Sequence, residues 1–268
     1  MSADEVPGGR LLKGGGRDGR SNSVWRVGDA VLKLYRRRRS WPREVAGEAA
    51  AWFFHRKRGV SVGVRHETER RSLALWRRHG FDVPATLDRP LPEGVAPPAL
   101  WMEFCDGPLL YDAVSPARLE RLATEMGRRH GVALETREPL LVHEKGTLKH
   151  VFVVGDRLVT FDFEQGFRPS FPMLEAMAEE VAGYLRSLAQ ATDDESRVPS
   201  HESPVKTFED GIKTFVRGYA DTGRLKRIAE WGTRGVSFYR LMKRWQDGVR
   251  RPTHGKVDVL RRLLALIA

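Results

Sequence analysis

Several clusters in this sequence have the residue types that handle a phosphate and the cation that accompanies it. Asp162 and Glu164 follow directly on the apolar run 158–161. A carboxylate at the end of an apolar strand, facing a polar loop across a hairpin, suits a metal ion held over phosphate oxygens. The polar loop spans 143–149 and carries His143, Glu144 and Lys145, with His150 just beyond it. Far upstream, Lys33 lies inside Ala30-Val31-Leu32-Lys33-Leu34-Tyr35. An ammonium within an apolar strand needs a carboxylate or a phosphate, unless the strand is an edge that lets it reach water. Glu69, Leu73 and Trp76 fall at i, i+4 and i+7, so Glu69 shares the buried face of a helix, where a carboxylate needs a cation. Glu69 is therefore the expected partner of Lys33, with Glu67 as the fallback.

Short elements must position these groups. A strand at 140–142 and a hairpin with arms 150–154 and 158–161 flank the loop, and Gly155-Asp156 supplies the two-residue turn. Upstream, strands 24–27 and 30–35 join through Gly28-Asp29, with Val31, Lys33 and Tyr35 on one face and Leu32 and Leu34 on the other. A glycine-rich stretch, 3–23, precedes them. Four arginines at 36–39 lead into an expected helix over 43–58, whose Val45, Ala49, Trp52 and Phe53 read as a packing face. A second helix is expected over 65–79 with Gly80 as its stop, then a strand over 99–104 and a helix starting at Leu109. The helix over 116–130 is capped by Ser115 and stopped by Gly131, and its His130 reads as structural. After a helix over 173–189 come a polar linker, 191–204, and a helical remainder. That remainder has apolar faces at Phe208, Ile212, Phe215 and Tyr219, at Phe238, Leu241, Met242 and Trp245, and over 259–267.

The order of these features resembles the protein-kinase-like superfamily, and within it the lipopolysaccharide core (Kdo and heptose) kinases and small atypical kinases. His143 matches the loop histidine, His150 the Asn-or-His position, Asp162 with Glu164 the metal site, and Lys33 the phosphate-gripping strand lysine that pairs with a helix glutamate, here Glu69. The resemblance implies an α+β bilobal protein-kinase-like fold. Residues 1–104 would form a small β-rich lobe whose glycine-rich loop covers the ATP phosphates, and 105–268 a mainly helical lobe. At the hinge, Met102 would guard the back of the nucleotide pocket and backbone groups of Glu103 to Cys105 would meet adenine. It implies ATP with Mg2+ as cofactors, or Mn2+ if the His150 imidazole ligates. The sequence departs from the family at the catalytic Asp position, which holds Lys145. Either Glu144 serves as base through a one-residue shift of the loop with Lys145 neutralising phosphate, or the chain is an impaired, nucleotide-binding pseudokinase. The loop after Asp162 is short and lacks Ala-Pro-Glu, which favours a phosphosugar or glycolipid acceptor over an atypical Ser/Thr protein kinase.

Composition bounds the rest. The 268 residues carry a net charge of +11, 41% hydrophobic and 30% charged residues, and one cysteine, Cys105. That leaves no internal disulfide and no cysteine-based metal cluster, and with no long apolar run or signal-peptide pattern the expectation is a cytoplasmic protein. The basic surface, including the helical end, is either a solvated face or a contact for anionic head groups at the inner membrane face. Nucleic acid is an acceptable partner by charge, but no nucleic-acid module, Walker loop, Gly-x-Ser-x-Gly elbow or His-Glu-x-x-His motif occurs.

Overall fold

The computed structural model describes residues 6–13, 22–36, 45–46, 49, 57–58, 61–193, 205–234 and 255–268. By its internal packing the chain forms two compact units, one of Met1–Asp106 with Asp162–Arg168, the other of Gly107–Phe161 with Pro169–Ala268. The division expected between 104 and 105 falls two residues later, and the segment holding Asp162 and Glu164, expected with the second lobe, packs with the first unit.

The first unit is built on a four-stranded antiparallel sheet of β1 (Arg10–Lys13), β2 (Ser23–Val27), β3 (Ala30–Leu34) and β5 (Ala99–Glu103), in that order across the sheet. β1 lies in the stretch read only as glycine-rich; its four residues are all exposed, so no apolar alternation marks it. Residues 14–21, the core of the expected phosphate-covering loop, lie outside the described residues. One face of the sheet is closed by an apolar cluster of Val6, Ala30, Leu32, Leu34 and Trp101. Helix α1 (Val62–Arg78) presents Glu69, Leu73 and Trp76 to the interior, and the chain turns out of it at Gly80, whose φ of +70° suits glycine. Two residues of the helix expected over 43–58, Lys57–Arg58, instead form a strand, β4, paired antiparallel with β8 (Gly166–Phe167). Val45 and Ala49 are helical but exposed, contrary to the packing role assigned to them, and Trp52 and Phe53 lie outside the described residues.

The second unit is mainly helical: α2 (Pro116–Thr136), α3 (Met173–Asp193), α4 (Phe208–Tyr219), α5 (Thr222–Arg234) and α6 (Lys256–Ile267). It also carries the hairpin β6 (Val151–Val154) and β7 (Arg157–Thr160), whose turn places Gly155 at φ +56°. Ser115 caps α2 by accepting from the Arg118 N–H at 3.4 Å. Gly131 does not stop that helix, because the buried face continues to Ala133; the helix ends at Arg137, in the left-handed conformation. His130 is structural and sits inside the helix, with Tyr219 Oη 2.7 Å from Nδ1 and Glu180 Oε2 3.0 Å from Nε2. Glu180 also receives both terminal nitrogens of Arg129, at 2.7 and 3.0 Å. Burial would raise this carboxyl, but Arg129 and His130 outweigh burial and hold it near 2. Two expectations fail here. Residues 139–141 form a single 3-10 turn started by Pro139, because three apolar residues with no strand partner cannot make a ladder. The helix expected from Leu109 is a turn, with Leu109 bridged to Phe152 instead. Phe208, Ile212, Phe215 and Tyr219 are all buried, whereas Phe238 to Trp245 lie outside the described residues. Among the described residues no helix is long and apolar enough to cross a membrane.

Candidate functional site

The first unit contains a dense ionic cluster centred on Lys33. β3 pairs on both sides, so Lys33 stands in the sheet opposite Val24 and Leu100 and cannot reach water along an edge. Leu32 and Leu34 enter the apolar cluster, and strand alternation sends Lys33 and Tyr35 to the other face. There α1 supplies Glu69. Lys33 Nζ lies 2.7 Å from Glu69 Oε2 and 3.0 Å from Oε1, and the Tyr35 hydroxyl donates to Oε2 at 2.7 Å. Glu67 is an exposed carboxylate that pairs with Arg70 on its own helix.

Asp162 and Glu164 complete the cluster, their oxygens 3.2 and 2.9 Å from the same ammonium. Between them, Phe163 turns into the core and meets Trp76 of α1 edge-on at 4.7 Å. This alternation places the two carboxylates together on the side of Lys33. Asp162 adopts φ +69°, a conformation that aspartate tolerates better than most residues and that tends to collect at functional sites. Glu164 is held further by Asn22 Nδ2, which donates to Oε1 at 2.5 Å, and by Arg65 Nη1, 3.3 Å from Oε2. Asn22 Oδ1 accepts from Arg65 Nη1 at 2.8 Å and from the Arg36 N–H at 3.2 Å, while Arg65 Nη2 donates to the Arg36 carbonyl.

Burial alone would lower the Lys33 ammonium, but the charges of Glu69, Asp162 and Glu164 together outweigh it and raise it, so Lys33 is a fixed cation. Glu69 is pushed up by burial, with Asp162 and Glu164 adding to the rise and Lys33 opposing it. Burial, followed by Glu69, raises the Tyr35 hydroxyl well above its ordinary range, which keeps it a donor.

Ligand atoms of Glu69, Asp162 and Glu164 lie within 4.8 Å of one another, close enough to share a cation. The Lys33 ammonium, however, is within hydrogen-bonding reach of all three. Both oxygens of Glu69 and both of Glu164 accept from nitrogen or hydroxyl donors. Asp162 is the most exposed of the three, at 19% of its side chain against 2% and 6%. Magnesium typically takes one or two carboxylates and fills its other positions with phosphate oxygens and water. The residues therefore fit a magnesium ion held by Asp162 together with a nucleotide, and not a three-carboxylate cage.

The remaining candidates lie elsewhere. Glu103 and Cys105 end β5 and the strand's exit, still in the first unit. The Glu103 N–H donates to the Ala85 carbonyl at 2.8 Å and the Phe104 N–H to the Asp29 carbonyl at 3.3 Å. Glu144, Lys145 and His150 belong to the second unit. Glu144 is buried and Lys145 half-buried. The loop that bears them is pinned at both ends: His143 Nε2 donates to the Phe161 carbonyl at 3.0 Å, and His150 Nδ1 to the Lys145 carbonyl at 2.9 Å. The second contact fixes the tautomer, leaving the His150 lone pair on Nε2.

Beneath the loop, Gly146 crosses α3 at Gly183, where a Cβ would stand 2.2 Å from the Gly146 carbonyl oxygen. Gly183→Ala is therefore expected to displace the loop and destabilise the protein by about 1–3 kcal/mol, as overpacking against fixed backbone does. Thermal denaturation checks this, and a midpoint equal to wild type would refute the close approach.

Asn22 and Arg65 were not legible as site residues. Asn22 closes a glycine-rich stretch, and Arg65 stands among many arginines. The one signal was that Arg65 precedes Glu69 by four residues and so shares its buried face.

No protein-family model matches the chain, and no curated protein does. Among solved structures it is similar to the Rio2 kinase of Chaetomium thermophilum in its ADP/Mg2+-phosphoaspartate complex, with 14% identity over 97% of this chain and 71% of that one and a TM-score of 0.41. It is similar also to the bifunctional kinase-methyltransferase WbdD, with 18% identity over 81% of this chain and a TM-score of 0.39; the chain spans 48% of that protein. A choline/ethanolamine kinase family protein from Mesorhizobium loti gives 13% identity over 97% of this chain and 87% of that one, with a TM-score of 0.38. All three are described as kinases.

Proposed function

We propose that the chain is an ATP-dependent phosphotransferase acting on a phosphosugar or glycolipid. The observation that carries the reading is the Lys33 ammonium, enclosed in a central strand and gripped by a helix glutamate, with a left-handed aspartate offering a second carboxylate. A permanently charged, pre-positioned ammonium is suited to phosphate oxygens, since it needs no reorganisation when charge arrives. Glu69 and Tyr35 orient it. Asp162 would hold Mg2+, or Mn2+, and a bound ion would neutralise phosphate charge and draw the transferring group into line. In the second unit, Lys145 would supply positive charge, and Glu144 is the candidate base for the acceptor hydroxyl. The acceptor class is supported by the short segment after Asp162 and by the net charge of +11, which suits a phosphorylated acceptor and contact with an anionic surface at the inner membrane face.

The reading is tested by incubating the protein with labelled ATP, Mg2+ or Mn2+, and a bacterial lipid or sugar-phosphate extract. Label in the lipid or sugar fraction is the expected result. Label on protein alone would indicate an atypical Ser/Thr protein kinase, and nucleotide binding without transfer a pseudokinase, the reading that Lys145 at the base position favours. Where transfer occurs, Glu144→Gln is expected to slow it by about 10²–10⁴-fold, the usual contribution of a general base. Full activity in that variant would remove Glu144 from the role, and full activity in Lys145→Ala would do the same for Lys145.

A further inference from the structure

Arg65 is completely enclosed, one helical turn before Glu69. It joins three separate segments: Asn22 at the entry to β2, the Arg36 carbonyl after β3, and Glu164. Asn22 closes the ring, donating to Glu164 and accepting from both Arg65 and the Arg36 N–H. Glu164 thus accepts from Asn22 Nδ2 on Oε1, which also forms an ion pair with Lys33 Nζ at 2.9 Å, and from Arg65 Nη1 on Oε2. A metal ligand must turn a lone pair to the cation, and here a cation brought to either oxygen would meet N–H groups of like polarity.

The geometry points to a different task for Glu164. It is a second anchor for the Lys33 ammonium, beside Glu69, and Arg65 is the positioning residue that holds it there. Of the three carboxylates, Asp162 alone then serves the metal. A lysine held by two fixed carboxylates loses the rotamer freedom that an exposed lysine keeps, so its ammonium is in place before a phosphate arrives. The anchor stands on contacts within the first unit; only its consequence for the metal rests on the phosphotransferase reading.

Two measurements on the full chain test this. In the ligand-free protein, the Lys33 ammonium signal is followed by NMR with nitrogen-15-labelled lysine and assigned by its loss in Lys33→Arg. Glu164→Gln, which removes a close ion pair, and Arg65→Met, which frees the carboxylate that makes it, are each expected to speed its exchange with water by about tenfold or more. Unchanged exchange in Glu164→Gln would overturn the anchor, and that nearly isosteric variant carries the measurement if Arg65→Met fails to fold. Calorimetry then gives the Mg2+ concentration for half-maximal ATP binding. Asp162→Asn is expected to raise it about tenfold or more, as loss of a ligand does, and Glu164→Gln to leave it little changed. An equal rise in Glu164→Gln would make Glu164 a metal ligand and overturn the assignment. If the wild-type chain binds no ATP, the phosphotransferase reading fails, while the ammonium measurement still decides the anchor.

Discussion

Lys33→Met is expected to abolish ATP binding and to lower the thermal midpoint as well. The ammonium satisfies Glu69, reaches Asp162 and Glu164, and is itself almost fully enclosed. Removing one member of a buried ion pair costs about 3–5 kcal/mol, on the order of 10 °C for a chain of this size, because the partner charge is left behind. Loss of binding by Lys33→Met alone is therefore ambiguous, and the second substitution resolves it. In Lys33→Met with Glu69→Gln the orphaned charge is gone and the glutamine can still accept from Tyr35. Most of the midpoint should return while binding does not. Differential scanning fluorimetry reads both: at a hundredfold excess over Kd, ATP with Mg2+ should stabilise the wild type by about 2.7 kcal/mol, roughly 5–10 °C, and the double variant by nothing measurable. A double variant that regains the ATP shift would show that Lys33 is a structural cation and not the group that grips the nucleotide phosphates.

Asp162→Asn is expected to separate metal from nucleotide. The side chain keeps its shape and can stay in the left-handed conformation, which asparagine tolerates as well as aspartate does, so the fold should survive with a midpoint close to wild type. The lost charge removes the ligand proposed for Mg2+ or Mn2+. Phosphate transfer should fall by about 10²-fold or more, the scale of a removed electrostatic contact in a transition state. The stabilisation that divalent cations add to ATP should shrink and require about tenfold more metal or beyond. A variant that keeps both transfer and the metal-dependent shift would place the metal elsewhere in the chain.

These two residues were legible in the sequence because the signals they leave are local. A lysine amid Val, Leu and Leu announces an unsolvated charge, and a glutamate in register with Leu73 and Trp76 announces its counter-charge. Asp162 stood out for the same reason, as the first polar residue after an apolar strand. The hairpin, the two central strands of the sheet and the capping of α2 also followed from alternation and turn residues within a few positions of one another.

What lay beyond the sequence was whatever depends on which distant segments pack together. Arg65 and Asn22 join a site whose other carboxylate, Glu164, is 142 residues from Asn22, and no periodicity reports a partner at that distance. The same limit explains Gly131, where continued burial of the helix face as far as Ala133 outweighs an intrinsic helix-stop preference of about 1 kcal/mol. It explains 139–141, whose apolar residues had no strand to pair with, and Lys57–Arg58, which left a helical pattern to pair with Gly166–Phe167. Residue type and spacing determined that this chain must bury a lysine with a carboxylate near a second acidic group. Only tertiary packing decided that Glu164 would be surrounded by N–H donors while Asp162 stayed partly open, because hydrogen-bond saturation is a property of the assembled neighbourhood and not of the residue.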